Sequence, residues 1–399
     1  MSKAKLWTKD FLIVSMANFF LYFTFYLLMA TISVFAIDRF QASPSEAGLA
    51  SGIFVIGTLI ARIFAGKFVD TIGYKKMLYI GFVFILITTL LYFAVNHLQF
   101  LYVVRFLHGA ALGIASTATG TIVAKIIPNE RYGEGIGYYA LSITLAAAVG
   151  PFLGMFINQY ADFSMNFVLC TILLAFSFVS SLFLNVPKAE LTKEQLAGMK
   201  GFKLSNFFES KAFPISIIGA FMGLGYASIL SFITSYAIEI NVVDIASFFF
   251  VFYAVSTLVS RPFAGRWFDT KGENFVMYPA FLLFAIGLMF LSQAQFQGYF
   301  ILIAGIFVGF GYGTFMSSAQ AIAIKESPKH RIGLATSTYY IFLDGGIGIG
   351  PFLLGFLIPA IGFQGLYIAM AGVALVSSGL YYFLHGQKAS RAKQLAEVS

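Results

Sequence analysis

The sequence predicts an all-α integral membrane protein whose twelve transmembrane helices form two pseudo-symmetric six-helix bundles. Three observations carry that expectation. Hydrophobic residues make up 59% of the 399 positions and charged residues 11%, against about 25% charged in soluble domains. The apolar residues come in continuous runs of about twenty or more, enough for a helix to cross a hydrocarbon core about 30 Å thick. The second half of the chain also repeats features of the first.

Taken in order, the apolar runs lie near 12–36, 45–65, 77–96, 99–124, 133–158, 163–186, 213–237, 243–264, 275–294, 298–324, 333–358 and 362–384. They are continuous rather than alternating and twice the length of a barrel strand, which favours helices over an outer-membrane barrel. The first run is too long for a signal-peptide core and has no small-residue cleavage site, so it reads as a retained span. Residues 187–212 form the longest polar segment and read as a cytoplasmic linker, with a short surface helix near 191–199. The linker divides the chain into an N-terminal bundle, 1–186, and a C-terminal bundle with a short, frayed tail, 213–399.

With both termini inside, all of the 25 Lys and Arg residues except Arg39 and Arg105 fall at the cytoplasmic side or at cytoplasmic helix ends. This positive-inside asymmetry accounts for the net charge of +8 without a nucleic-acid partner. The single cysteine, Cys170, allows no internal disulfide, and no Cys/His spacing fits a metal.

The repeat is specific. ARIFAGKFVDTIG at 61–73 recurs as SRPFAGRWFDTKG at 260–272, matching Arg62, Gly66, Asp70 and Gly73 with Arg261, Gly265, Asp269 and Gly272 at one offset of 199. At an offset of 200, Gly109, Pro128, Arg131 and Gly150-Pro151 match Gly309, Pro328, Arg331 and Gly350-Pro351. Gly66 is placed for close helix approach. Asp70 is an anion able to face the positive N-terminus of the eleventh helix near Gly333, and Asp269 that of the fifth near Glu134.

The segment Gly66-Lys67-Phe68-Val69-Asp70-Thr71-Ile72-Gly73-Tyr74-Lys75 resembles the loop between the second and third helices of the major facilitator superfamily, and the resemblance covers essentially the whole chain. Thr71 and Tyr74 stand where that family often has basic residues, leaving the basic duty to Lys67, Lys75 and Lys76. The resemblance implies a cytoplasmic gate built from Gly66, Asp70, Gly73, Lys75, Lys76, Arg131, Gly265, Asp269, Gly272 and Arg331.

Gly137, Gly150, Pro151 and Gly154 in the fifth span resemble the antiporter motif of exporters in the superfamily, with Ala146 and Met155 in place of glycines; Gly350 and Pro351 mirror them. VVRFLHGAALG at 103–113 resembles a fourth-helix motif whose arginine is tied to proton transfer in the family, with Arg105 and His108 on one helix face. They lie about 9 to 13 Å deep, where an unpartnered charge costs about 2.5–3.5 kcal/mol.

Asp344 is the one acid deep within a span, about 17 Å from its start, and is the candidate proton carrier. A carboxylate there holds or releases its proton according to how wet its surroundings are. The family's central path is lined by helices 1, 4, 7 and 10, which offer Asn18, Tyr22, Tyr26, Tyr226, Tyr312 and Gln320. Aromatic rings with polar tips suit an amphipathic substrate.

No G-x-x-x-x-G-K-[ST] loop is present, so energy is expected from an ion gradient, with no cofactor. The resemblance implies a multidrug-type efflux transporter, not an enzyme, exchanging small amphipathic or cationic compounds for protons by alternating access. It would work as a monomer in a bacterial plasma membrane. The alternatives are a dedicated exporter of a metallophore, sugar or lipid, and a non-transporting receptor or scaffold on the same fold.

Overall fold

In the computed structural model, which describes residues 5–42, 44–186, 203–246 and 248–391, the described residues form helices, turns and loops and no strand. The expected helix near 191–199 lies outside the described residues. Twelve long helices follow one another: α1 (Lys9–Phe40), α2 (Pro44–Ile72), α3 (Tyr74–Leu91), α4 (Leu98–Ile126), α5 (Tyr132–Tyr160) and α6 (Ser164–Leu182), then α7 (Phe213–Glu239), α8 (Phe249–Lys271), α9 (Glu273–Ser292), α10 (Phe300–Lys325), α11 (Ile332–Gly355) and α12 (Ile358–Tyr381). All but α11 register as membrane spans among the described residues, and α11 is 24 residues long with one charge.

The helices depart from the apolar runs at identifiable places. A separate turn, Val243–Ala246, precedes α8, so the eighth helix begins later than its hydrophobic run. In α10 a π turn occupies Gly309–Gly313, where three glycines in five residues weaken the regular ladder. In α12, Gly362 at φ 65° interrupts the helix near its start. Beyond Gly386 the chain remains helical to Arg391, so the tail expected to fray is ordered that far.

The chain divides into two compact units. The first contains the described residues of 1–128, 142–210 and 327–341; the second contains those of 129–141, 211–326 and 342–399. The first turns of α5 thus belong with the C-terminal helices, and the first turns of α11 with the N-terminal ones.

Within each unit the repeat is visible as equivalent contacts. In the first, Gly109 of α4 meets the Phe54 backbone of α2 so closely that a Cβ would overlap it, and Thr58 donates to the Gly109 and Phe54 carbonyls, both at 3.0 Å. In the second, Gly309 meets Tyr253 in the same way, and Thr257 donates to the Tyr253 carbonyl at 2.8 Å and the Gly309 carbonyl at 3.2 Å. Small residues let membrane helices approach, and a hydroxyl bridging them contributes about 0.6–2 kcal/mol. Leu27, Ile32, Val104 and Phe167 belong to one buried hydrophobic cluster of the first unit.

Candidate functional site: two acid docks and a buried arginine hub

Gly73 and Gly272 each join two helices with a single residue, at φ 97° and 90°. This left-handed backbone favours glycine, and it brings the preceding Asp70 and Asp269 to the motif end of their units. In the second unit, Asp269 accepts hydrogen bonds from the Gly133 amide at 2.7 Å and the Glu134 amide at 3.1 Å. These are free donors of the first turn of α5, so the carboxylate meets both unsatisfied N–H groups and the positive end of the helix dipole.

In the first unit, Asp70 is 1% exposed and approaches the Tyr74 hydroxyl, the Gly333 amide at the start of α11, and the Lys125 ammonium. Its oxygens lack regular hydrogen-bond geometry among the described residues. The two docks are equivalent in position, and they differ in that Asp269 makes regular hydrogen bonds to two helix amides.

The glycines one turn earlier set these approaches. A Cβ on Gly66 would overlap the Ser337 side chain of α11, and one on Gly265 would lie 2.5 Å from the Glu134 Cα. Ser337 also donates to the Arg62 carbonyl, and the Arg62 guanidinium lies 4.7 Å from the centre of the Tyr340 ring. Arg261, the repeat of Arg62, donates to Ser317.

The remaining basic residues divide. Lys75 donates to the Leu184 carbonyl at 2.7 Å and the Leu182 carbonyl at 3.3 Å, closing the end of α6. Arg131 grips Glu134 in its own helix with two contacts of 2.7 Å. Arg331 pairs with Glu209, a linker residue, at 2.8 Å. His330 beside it, outside the spans, is pushed below its ordinary pKa by burial and then by Arg331, which favours the neutral ring and leaves Arg331 as the cation there. Lys76 is exposed on α3.

Arg105 is fully buried. Its Nε donates to the Ala50 carbonyl at 2.8 Å, its Nη1 reaches the Tyr92 hydroxyl at 3.4 Å, and its plane lies 4.5 Å from the Phe54 ring centre. His108 shares the Tyr92 hydroxyl through Nδ1 at 3.0 Å. This arrangement spreads the buried charge over a carbonyl, a phenol and a ring face.

Asn18 is also an internal junction. Its amide donates to Ser142 at 2.7 Å and accepts from Thr119 at 3.1 Å, tying α1 to α5 and α4. On the same stripe, Tyr22 accepts from Arg62 at 3.1 Å and Tyr26 packs edge-on against Phe25.

In the second unit, Tyr226 and Tyr312 stack with centroids 4.2 Å apart and planes at 6°. Tyr312 sits in the π turn of α10, and Gln320 is buried further along that helix. Asp344 is half-buried on α11.

In α5, Pro151 interrupts the helix ladder while Gly150 and Gly154 pack on α1, at Phe23–Leu27 and at Leu27–Thr31. Gly350 packs on Ala227 of α7, and the Pro351 backbone continues α11. Gly137 faces the aliphatic part of Arg261 with ordinary room.

The profile of the Major Facilitator Superfamily matches residues 14–294 and 215–398. The chain belongs to this superfamily. It is 24% identical over 364 residues to an uncharacterised MFS-type transporter, MJ1560, of Methanocaldococcus jannaschii, covering 89% of this chain and 92% of that one. It is 23% identical to multidrug resistance protein 2 of Bacillus subtilis, covering 88% and 89%. The structure of the human organic anion transporter MFSD10 (TETRAN) superposes with a TM-score of 0.74 at 12% identity, covering 93% of this chain and 98% of that one, which speaks to the fold alone. As a major facilitator protein the chain is a multi-pass membrane transporter rather than an enzyme.

Several residues at these sites escaped the sequence reading. Lys125, beside Asp70, repeats as Lys325, which lies 3.7 Å from Glu273, and the offset of 200 was there to be seen. Tyr92, Thr119, Ser142 and Ser337 carry no signal distinguishing them from ordinary span residues. Glu209 lies in a polar stretch where an acid normally reads as solvated.

Proposed function

We propose that this major facilitator protein exports small amphipathic or cationic compounds from the cytoplasm in exchange for protons, by alternating access, as a monomer with both termini inside. The reading rests on one observation above others: in each repeat an acid, Asp70 or Asp269, lies at the first turn of a helix from the other sequence half. Such docks close a cytoplasmic gate when made and open it when broken.

A hydrogen bond to a charged group contributes about 1.5–3 kcal/mol, and one proton moving across 100 mV supplies about 2.3 kcal/mol. The gate is therefore strong enough to bias a conformation and weak enough for a proton to release. Asp344 is the proton carrier in this scheme, and Arg105 with His108 and Tyr92 forms a polar junction that responds to it. Relatives named multidrug resistance proteins support the substrate class, as do the aromatic stacks around Tyr226 and Tyr312.

The experiment is accumulation of ethidium, a planar aromatic cation, in inside-out vesicles energised by respiration. Uptake above empty-vector vesicles that collapses with a protonophore is the expected result. Uptake insensitive to the protonophore removes proton coupling, and no uptake of any amphipathic cation tested removes the substrate class.

A further inference from the structure

The start of α11 meets two acids. Asp70 of α2 lies beside Gly333. Glu209, on the short segment Lys203–Ser210 ahead of α7, is 2% exposed and pairs with Arg331. The Glu209 amide donates to the Thr338 hydroxyl at 2.9 Å, and Arg331 also donates to the Ser205 and Phe208 carbonyls. Arg331 and Thr338 are two helical turns apart and share a face of α11, so this segment runs along that face. Phe207 meets α2, edge-on to Phe64 at 6.1 Å and 4.2 Å from the Lys67 ammonium. The segment therefore bridges α2 and α11, the same pair that Gly66 and Asp70 bring together.

The repeat explains why an acid is needed from outside. Arg131 takes its carboxylate from Glu134, three residues along its own helix. The position equivalent to Glu134 is Leu334, and α11 has no acid before Asp344. The linker supplies the missing carboxylate. Arg331 is 25% exposed and Glu209 only 2%, so losing Arg331 strands a buried carboxylate and is destabilising, whereas a fully exposed pair would contribute little.

We propose that Lys203–Ser210 is a strap on the cytoplasmic gate and that Glu209 is its positioning residue, holding the first turns of α11 against α2 so that Asp70 can dock. The inference rests on the gating reading above and extends it to the linker, which then takes part in the gate instead of only joining the two halves. Opening the gate requires Glu209 to release Arg331.

The test uses the full chain on a Cys170→Ala background with one cysteine introduced by Leu334→Cys, at the position that packs against Gly66. Its reaction with a water-soluble maleimide is timed in inside-out vesicles. Glu209→Ala and Arg331→Ala each raise the rate on the order of tenfold, and the double variant raises it no further. A rate unchanged by Glu209→Ala overturns the strap.

Asp70→Asn is run alongside. If it raises labelling while Glu209→Ala does not, the gate stands without the strap. If Glu209→Ala raises labelling and Asp70→Asn does not, the strap stands and Asp70 leaves the gate. Should Glu209→Ala fail to accumulate, Phe207→Ala removes only a half-buried ring: faster labelling supports the strap and the parent rate overturns it.

Discussion

Adding one methyl group at Gly265 should open the dock that Asp269 makes. The new Cβ would lie 2.5 Å from the Glu134 Cα, 3.0 Å from its amide nitrogen and 3.1 Å from the Gly133 carbonyl, whereas carbon atoms settle at about 3.5–4.0 Å. Relief requires α8 and the start of α5 to separate by about 1 Å. Such a shift carries the Asp269 contacts of 2.7 and 3.1 Å past the range of a hydrogen bond.

The overpacking costs about 1–3 kcal/mol and the lost charged hydrogen bonds about 1.5–3 kcal/mol each. The gate equilibrium should then shift by at least about tenfold. Labelling of a cysteine introduced by Tyr138→Cys, at a half-buried position of α5 one turn beyond Glu134, should accelerate in Gly265→Ala in inside-out vesicles, and ethidium accumulation should fall. Gly372→Ala, where a Cβ has open space, is the control that should behave as the parent. If Gly265→Ala labels and transports like Gly372→Ala, the close approach at this dock has no role in the gate.

Three further outcomes follow from the same geometry. Asn18→Ala leaves Ser142 and Thr119 without their shared partner and should cost about 1–3 kcal/mol, read as a lowered Tm of the protein in nanodiscs; an unchanged Tm removes Asn18 as a junction. Arg105→Lys keeps the charge but loses the fork that reaches Ala50 and Tyr92 together, so it should lower both Tm and the transport rate, while parental behaviour shows that charge alone suffices. Asp162 lies two residues ahead of α6 and is held below its ordinary pKa by the Ser164 hydroxyl and amide. Its contribution is present above the ordinary carboxylate range and disappears as pH falls through the lower folded value. Amide exchange at the first turn of α6 should therefore be faster in Asp162→Ala than in the parent at neutral pH and equal to it in strong acid; a difference that persists in acid would exclude the carboxylate as its source.

Much of the fold was legible because a membrane imposes a coarse rule: each crossing needs an apolar run of fixed length, and α1 to α12 follow those runs closely. The Gly66–Asp70 and Gly265–Asp269 docks were legible because a duplicated sequence points to duplicated geometry. Symmetry misleads where one copy has drifted. Arg131 and Arg331 align, yet one pairs with Glu134 in its own helix and the other with Glu209 from the linker. The Asn18–Ser142–Thr119 junction depends on the angles at which helices cross. Hydropathy does not encode those angles, so the bonds of Asn18 to Ser142 and Thr119 were not legible from the sequence.

Exchange of substrate for protons can be followed with purified protein in liposomes holding a trapped pH dye. With no imposed gradient, ethidium added on one side should move protons the opposite way in the parent and not in Asp344→Asn. Ethidium movement with no pH change in the parent would rule out proton exchange, and an equal pH change in Asp344→Asn would rule out Asp344 as the proton carrier.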